Sequence, residues 1–130
     1  VYDVSGRTAL EVAQQVAART RELGQEAVQL IGSGEEKVTR MAIGTGAITP
    51  FQHYLDEYEV DLALCTDDGF SYWRDGGLAI DMGLPVILVN HAVAEINGMK
   101  LLAGHLQEKF PELPVHFIPQ GCMFRLVGEE

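Results

Sequence analysis

Basic residues are scarce in this chain, where 9 Lys and Arg are set against 19 Asp and Glu for a formal net charge of −10. A nucleic-acid-binding protein needs a basic patch, so this composition argues against a nucleic-acid partner. An acidic surface is compatible with cation binding, although it most often serves only solubility. Charge therefore excludes one class of partner and leaves small molecules and metal ions open.

Cysteines and long apolar runs are also few. Cys65 and Cys122 are far apart and form no Cys-x-x-Cys motif, which indicates reduced thiols rather than a disulfide framework. No apolar stretch approaches the length of a membrane span, and the chain does not open with a basic-then-apolar signal segment. We therefore expect a cytoplasmic protein with no membrane association.

The apolar residues that are present, 47% of 130, suffice for one domain with a sizeable core, and no repeat or linker divides the chain. Their patterns predict helices at 8–23, 51–58, 75–82 and 96–109, and strands at 26–31, 38–43, 61–66, 86–89, 115–118 and 123–127, after an irregular lead-in at 1–6. This order predicts a single α/β domain over 1–130, with a mixed, mostly parallel sheet covered by helices. The strands at 38–43, 61–66 and 86–89 should be parallel neighbours or near neighbours, with 86–89 central.

The segment 86–95 carries the clearest chemical signal. A short β-branched run behind Pro85 predicts a buried strand, and it delivers His91 and, four residues later, Glu95. Ligands bind beyond the carboxyl ends of strands in α/β sheets, and side chains at i and i+4 of a helix point the same way. The pair is thus a candidate for two ligands of one divalent metal ion. The alternative is a helix-capping His91 and a solvated first-turn Glu95.

Two further strand ends offer candidate pocket residues. Thr66, Asp67 and Asp68 follow the strand at 61–66, and paired carboxylates there can bind metal or act as acid and base. A turn or a helix cap is the alternative for them. Thr45 lies in a Gly-x-Gly loop after the strand at 38–43, which is more simply explained as a tight turn than as an anion site.

Several motifs, in the right order, resemble those of the Nif-three-like family (NGG-one-interacting factor 3, also labelled GTP cyclohydrolase I type 2 homologues). Residues 90–95 resemble the family motif Gly-His-Tyr-x-Ser/Thr-Glu in their His and Glu. Residues 41–47 resemble its apolar strand followed by Gly-x-Gly, and residues 60–66 its Ala-Asp-apolar-Thr strand. The resemblance runs over most of the chain from Met41 onward and corresponds to the second half of a family member.

The chain also departs from the family pattern. Asn90 stands where the motif has Gly, and no His-rich turn follows Thr66. The family uses an adjacent His pair, whereas the histidines here are isolated. They are His53, His91, His105 and His116. The sequence opens at Val1 without Met and resembles only the second half of a family member, so we interpret it as an excised fragment or a divergent short form.

The resemblance implies a divalent dinuclear metal site (zinc, manganese or iron) and, by analogy, hydrolase chemistry on an unknown small molecule. His91 and Glu95 would be ligands of a site that is incomplete in this chain. It also implies a ring-like homo-oligomer, commonly a hexamer, in whose interface Phe70, Tyr72 and Trp73 would pack unless they wall the pocket. The alternative is a non-catalytic assembly or partner-binding domain that has lost the full metal site, so the sequence leaves open whether the chain is an enzyme.

Overall fold

A five-stranded mixed sheet organises the chain, with the strands in the order β1-β3-β4-β5-β2. The computed structural model describes residues 1–47 and 49–128. The strands are β1 (Tyr2–Thr8), β2 (Gln29–Ile31), β3 (Lys37–Ile43), β4 (Leu62–Thr66) and β5 (Val86–Val89). The helices are α1 (Ala9–Arg21), α2 (Gln52–Asp56), α3 (Gly77–Met82) and α4 (His91–Lys109).

The centre of the sheet is parallel, as predicted. β3, β4 and β5 run in the same direction, with Met41 opposite Leu62 and Ala63 opposite Val86. Every residue of β4 and β5 is buried, which explains why both strands are almost continuously apolar. The middle strand is β4 rather than β5, so the expected central position of 86–89 is off by one strand.

The two edge strands are antiparallel. β1 pairs with β3, and β2 pairs with β5. The expectation of an irregular lead-in at 1–6 is wrong, because these residues belong almost entirely to β1. The error has a physical reason: Val4 is the only buried residue of β1, so the strand shows little apolar alternation.

Helices cover both faces of this sheet. Side chains that alternate along β4 and β5 point to opposite faces, so Leu62 and Ile87 join one core and Ala63 and Leu88 the other. The first core includes Ala9, Val12 and Ala13 of α1, and the second includes residues of α2 and α3. The predicted α/β class is confirmed.

The C-terminal quarter differs from the prediction. α4 begins at His91 rather than at residue 96, and residues 115–118 and 123–127 form no strand. Several apolar side chains along and just after α4 are partly or largely exposed. They are Leu101, Leu102, Leu106 and Phe110. The described sheet ends at the edge strands β1 and β2, and neither segment pairs with them. None of the described helices is both long and apolar enough to cross a membrane.

Candidate functional site

Three neighbouring strand ends bring the candidate residues together. Thr66 at the end of β4 lies opposite Val89 at the end of β5. The turn Asp67–Gly69 therefore begins beside the junction at which Asn90 leads into α4. The loop after β3 ends at the same edge, where the Gly44 N–H donates to the Leu64 carbonyl at 3.0 Å.

His91 and Glu95 meet on the first turns of α4. His91 Nε2 lies 3.1 Å from Glu95 Oε1, so the i and i+4 side chains point the same way. Both side chains are more than half buried, with the imidazole 35% exposed and the carboxylate 42%. The sequence spacing thus produces the convergence expected of two ligands.

The other nitrogen of the imidazole is held by Asp68. His91 Nδ1 forms a hydrogen bond with Asp68 Oδ2. Asp68 is itself fixed, because the Thr66 hydroxyl donates to its Oδ1 at 2.9 Å. Thr66 is buried, so this support is rigid. His91 consequently lies between two carboxylates, one from each neighbouring strand end.

Electrostatics at this cluster favour a charged imidazole in the absence of other cations. The hydrogen bond with Asp68 raises the pKa of His91, partial burial opposes it, and Glu95 raises it further. Burial tends to raise the pKa of Asp68, but hydrogen bonds from Thr66 and His91 outweigh this and lower it. Two carboxylates around one imidazole therefore make a site that attracts positive charge.

Asp67 fixes the backbone rather than the imidazole. Its Oδ1 accepts from the His91 backbone N–H at 3.0 Å, and its Oδ2 accepts from the side-chain amide nitrogen Nδ2 of Asn90 at 2.8 Å. From the other side, Gln25 Oε1 accepts from the Asn90 backbone N–H at 3.0 Å. The first N–H groups of a helix lack partners within it, so these contacts hold the start of α4 in place. Sequence reasoning missed Gln25, because no pattern links it to a residue 65 positions later.

The Gly-x-Gly loop contributes space. Gly46 has a φ of +65°, and a Cβ there would lie 3.2 Å from Glu95 Oε1 and 3.6 Å from His91 Nε2. A side chain at this position would be both strained and crowded against the pair. Thr45, the candidate pocket residue of this loop, is exposed. Gly46 is therefore a turn residue, as predicted, and it also lies beside His91 and Glu95.

A cavity of about 520 Å³ opens beside the pair. His91 and Glu95 line one end, and the rest lies between α4 and the irregular segment 115–123. Most of that lining is apolar, from Met99, Leu102, Leu106, Val115, Phe117, Ile118 and Met123. Small-molecule sites have this size and this mixture of apolar walls and few polar groups.

The candidate donor set is small. Among residues 1–47 and 49–128, no group of three or more His, Cys, Asp or Glu side chains is arranged to hold a metal ion. His91 and Glu95 are the right donor types for zinc, manganese or iron, and Asp68 occupies the position of a carboxylate that orients a ligating imidazole. The described chain thus offers two candidate ligands, His91 and Glu95, and one candidate orienting residue, Asp68.

The aromatic residues after β4 separate into different environments. Phe70 is buried and packs edge-on against Phe51, with ring centroids 5.3 Å apart. Tyr72 is half exposed, and Trp73 is 95% exposed. Neither Phe70 nor Trp73 lines the cavity beside His91, so these rings do not form one pocket wall.

Comparison with known proteins gives the family. Residues 4–121 match Duf34/NIF3 (NGG1p interacting factor 3). The fold resembles Staphylococcus aureus protein SA1388, with 18% identity and a TM-score of 0.71 over 96% of this chain and 36% of that one. It resembles the Bacillus cereus protein related to NIF3, with 23% identity and a TM-score of 0.63 over 84% and 29% of the two chains. No curated protein matches significantly.

A third structure extends the comparison. The Thermus thermophilus protein TTHA1606 is 25% identical, with a TM-score of 0.56 over 89% of this chain and 43% of that one. The chain therefore spans less than half the length of each of these relatives. Since the family match covers most of the sequence, this chain belongs to the Duf34/NIF3 family.

Proposed function

We propose that this chain supplies part of a divalent-metal site in a metal-dependent hydrolase. The observation that carries the proposal is the position of His91 between Asp68 and Glu95, at the joined carboxyl ends of β4 and β5. The chain spans only part of its relatives, so the activity is proposed for the protein to which this domain contributes.

His91 Nε2 and Glu95 Oε1 are the proposed ligands. Asp68 holds the Nδ1–H, which leaves the Nε2 lone pair of a neutral imidazole on the side of Glu95. When bound, a divalent cation at such a site lowers the pKa of water and polarises a carbonyl or phosphoryl oxygen. Two protein ligands do not complete a coordination sphere, so the others must come from another part of the protein or another chain.

The neighbouring cavity is the proposed place for the substrate. Its apolar lining would hold the body of a small molecule, while its polar end at His91 and Glu95 would receive the reacting group. Glu95 lies at this end, so its carboxylate can orient a hydroxyl or water by accepting a hydrogen bond. The chemical class of the substrate is left open.

Metal titration of a matched set of variants tests the proposal. We expect weak binding of zinc and manganese by isothermal titration calorimetry, and loss of it in His91→Ala. His53→Ala is the matched control, because His53 Nδ1 also lies 2.8 Å from a glutamate four residues later, Glu57. Circular dichroism should show both variants folded, since both imidazoles are partly exposed.

Two results would contradict the proposal. Unchanged metal binding in His91→Ala would remove the pair from any metal site. Equal losses in His91→Ala and His53→Ala would mean that exposed His–Glu pairs bind metal without regard to the strand ends.

Exposed apolar surface favours a second function, that of a homo-oligomeric or partner-binding domain. Trp73 is almost fully exposed, and Leu101 is 76% exposed on α4. Large apolar groups left open to water commonly mark interfaces. Sedimentation velocity at micromolar concentration should detect an oligomer, with a hexamer as the expected size, that Leu101→Glu weakens. A monomer with Trp73 accessible to a fluorescence quencher would count against assembly.

The cysteines support a proposed cytoplasmic location. Cys65 and Cys122 are both free thiols. Burial raises the pKa of Cys65 to about 12, so the thiol stays protonated and unreactive. Fluorescence of a tagged protein in cells would test the location, and accumulation outside the cytoplasm would overturn it.

A further inference from the structure

An exposed apolar stripe lies on the helical segment that precedes β5. The π-helical turn Tyr72–Gly76 runs directly into α3, and Trp73, Gly77 and Ile80 lie on the outer side of this segment. Trp73 is 95% exposed and Ile80 is 68% exposed. The inner side is buried, at Asp75, Gly76 and Ala79. Since an indole open to water leaves roughly 150–250 Å² uncovered, the stripe favours contact with another surface.

A cavity of about 330 Å³ lies beside the Ile80 end of the stripe. It is formed between α3, the start of β5 and the loop that follows β2. Its walls include five apolar residues: Ile31, Ala79, Ile80, Leu84 and Pro85. Trp73 does not line the cavity of its own chain, because Ile80 lies seven residues, or roughly 10 Å of helix, further along. Cavities that accept whole small molecules begin at about 300 Å³, so this one has room for an indole ring.

The order of these features along the segment is self-complementary. When two copies of the segment lie antiparallel about a two-fold axis at Gly77, Trp73 of each copy comes beside Ile80 of the other. A Cβ added at Gly77 would meet no atom within 4 Å, so the helix surface is flat and open at the axis. Glycine at this point lets the two backbones approach closely.

The charges on the segment are complementary under the same symmetry. Arg74 and Asp81 are both exposed and lie at opposite ends, so the antiparallel arrangement brings Arg74 of each copy beside Asp81 of the other. Arg74 uses Nε and Nη2 on Asp75, and its Nη1 donates to no described residue. Asp81 forms no ion pair within the described part of the chain. Both groups are therefore available for a contact between copies.

The cavity also offers an acceptor for an indole N–H. Glu36 lines it, and the backbone N–H groups of Ser33 and Gly34 hold the Glu36 carboxylate at 2.8 Å each. Each carboxylate oxygen keeps a further lone pair. A buried tryptophan usually finds a partner for its N–H, and this carboxylate supplies one.

We propose that this face is a two-fold interface between two copies of this chain, in which Trp73 of each copy enters the cavity beside Ile80 of the other. The inference rests on the proposed homo-oligomeric function and assigns it a surface. Two indoles cover roughly 300–500 Å², so the interface falls at the low end of the specific range, below about 1,200 Å² in total. Association in the micromolar range is therefore expected.

Tryptophan fluorescence of the full chain tests the proposal directly, because Trp73 is the only tryptophan in the sequence. As protein concentration rises through the micromolar range, we expect emission to shift to shorter wavelength and acrylamide quenching to fall. Sedimentation velocity should show association over the same concentrations. Long-wavelength emission at every concentration would overturn the proposal. Short-wavelength emission from the monomer would also overturn it, since another part of the same chain would then cover the indole.

Gly77→Gln is the sharpest variant, because it removes no contact within one copy. The backbone at Gly77 is helical, with φ −60° and ψ −47°, and the added side chain points into open space. We expect circular dichroism to show a folded protein whose association is weakened at least about 30-fold, as in Trp73→Ala. Asp81→Arg should weaken association about tenfold, whereas Glu22→Arg, the same charge change at the exposed end of α1, should not.

The variants also separate this interface from assembly in general. An oligomer that Leu101→Glu weakens but Gly77→Gln does not, with Trp73 still open to acrylamide, would refute the interface and keep the homo-oligomeric function. A monomer at all concentrations would refute both. If Gly77→Gln does not fold, the concentration dependence of the wild-type emission still decides.

Discussion

Two helices of this chain carry a histidine followed four residues later by a glutamate, yet their surroundings differ. His53 lies 2.8 Å from Glu57 at the end of α2, and His91 lies 3.1 Å from Glu95 on α4. The His53 ring has Tyr58 as its aromatic neighbour, with centroids 6.5 Å apart. The His91 ring instead has Asp68 on its other nitrogen and a cavity beside it. The i, i+4 spacing produces a His–Glu pair on both helices. Only the pair on α4 lies at strand ends, where Asp68 also contacts the imidazole.

The difference arises from where each helix begins. α4 starts directly after a buried parallel strand, so the neighbouring strand delivers Asp67 and Asp68 to its first turn. α2 is a five-residue helix that begins at Gln52, nine residues after β3 ends at Ile43. The i, i+4 spacing of His and Glu on a helix therefore indicates a functional site only when the helix begins at the end of a parallel strand.

The largest expected effect comes from truncating a core side chain of β5, the strand that leads into the His91–Glu95 pair. Ile87 is fully buried in β5, and Ile87→Ala should lower the free energy of unfolding by about 2–5 kcal/mol. The corresponding change beside His53, Gln52→Ala, should cost less than about 0.5 kcal/mol, because it removes only an exposed hydrogen bond to Asp56. Urea denaturation measures both, and similar losses would erase the structural contrast between the two pairs.

The next effect concerns the orienting carboxylate. Asp68→Asn should weaken zinc or manganese binding by about 10–100-fold, because the amide no longer supports His91 Nδ1–H as a carboxylate does. Glu57→Gln, the control at the other pair, should leave binding unchanged. Calorimetric titration measures both, and an unaltered affinity in Asp68→Asn would mean that this carboxylate does not orient a ligand.

A smaller effect is expected at the opposite end of the strands that support the site. Asp61 accepts from the backbone N–H groups of Thr39 at 3.0 Å and Arg40 at 2.8 Å, which ties β4 to β3. Asp61→Asn should therefore lower the free energy of unfolding by about 1–2 kcal/mol. Asp56→Asn on α2 is the control, and a loss there as large as that of Asp61→Asn would contradict the assignment.

The same tie predicts a pH dependence. Burial tends to raise the pKa of Asp61, but the hydrogen bonds from Thr39 and Arg40 outweigh it and lower the pKa below its ordinary value of 3.8. A depressed pKa in the folded state contributes stability above pH 3.8, and this is lost as pH falls through the folded-state value. Acid titration of stability should show less loss in Asp61→Asn than in the wild type, and parallel curves would exclude the effect.

The smallest expected effect is the coupling within the exposed pair. A double-mutant cycle on His53 and Glu57 should give about 0.3–0.5 kcal/mol when His53 is protonated, the usual value for an i, i+4 pair. Addition of salt should weaken it. A coupling above about 1 kcal/mol would show that α2 holds its pair more rigidly than its short length suggests.

Particular elements show how far local pattern predicts this fold. β4 and β5 were predictable because burial on both faces leaves continuous apolar runs, and β3 was predictable from its shorter apolar run at 41–43. β1 was not, because an edge strand with a single buried residue leaves no such pattern. Apolar periodicity predicted a helix at 96–109, yet Leu101 and Leu102 are exposed in the described chain. Apolar periodicity predicts that a helix has an apolar face, but it does not predict which part of the protein, if any, packs against that face.

The sequence by itself determined the α/β class, the strand that precedes His91, and the shared helix face of His91 and Glu95. These features depend only on apolar runs and on helical periodicity. Tertiary structure alone decided that Asp68 holds the imidazole and that Gln25 and Asp67 fix the start of α4. These contacts join residues 23 to 65 positions apart. Only the register of β4 beside β5 and the packing of β2 against them set those distances.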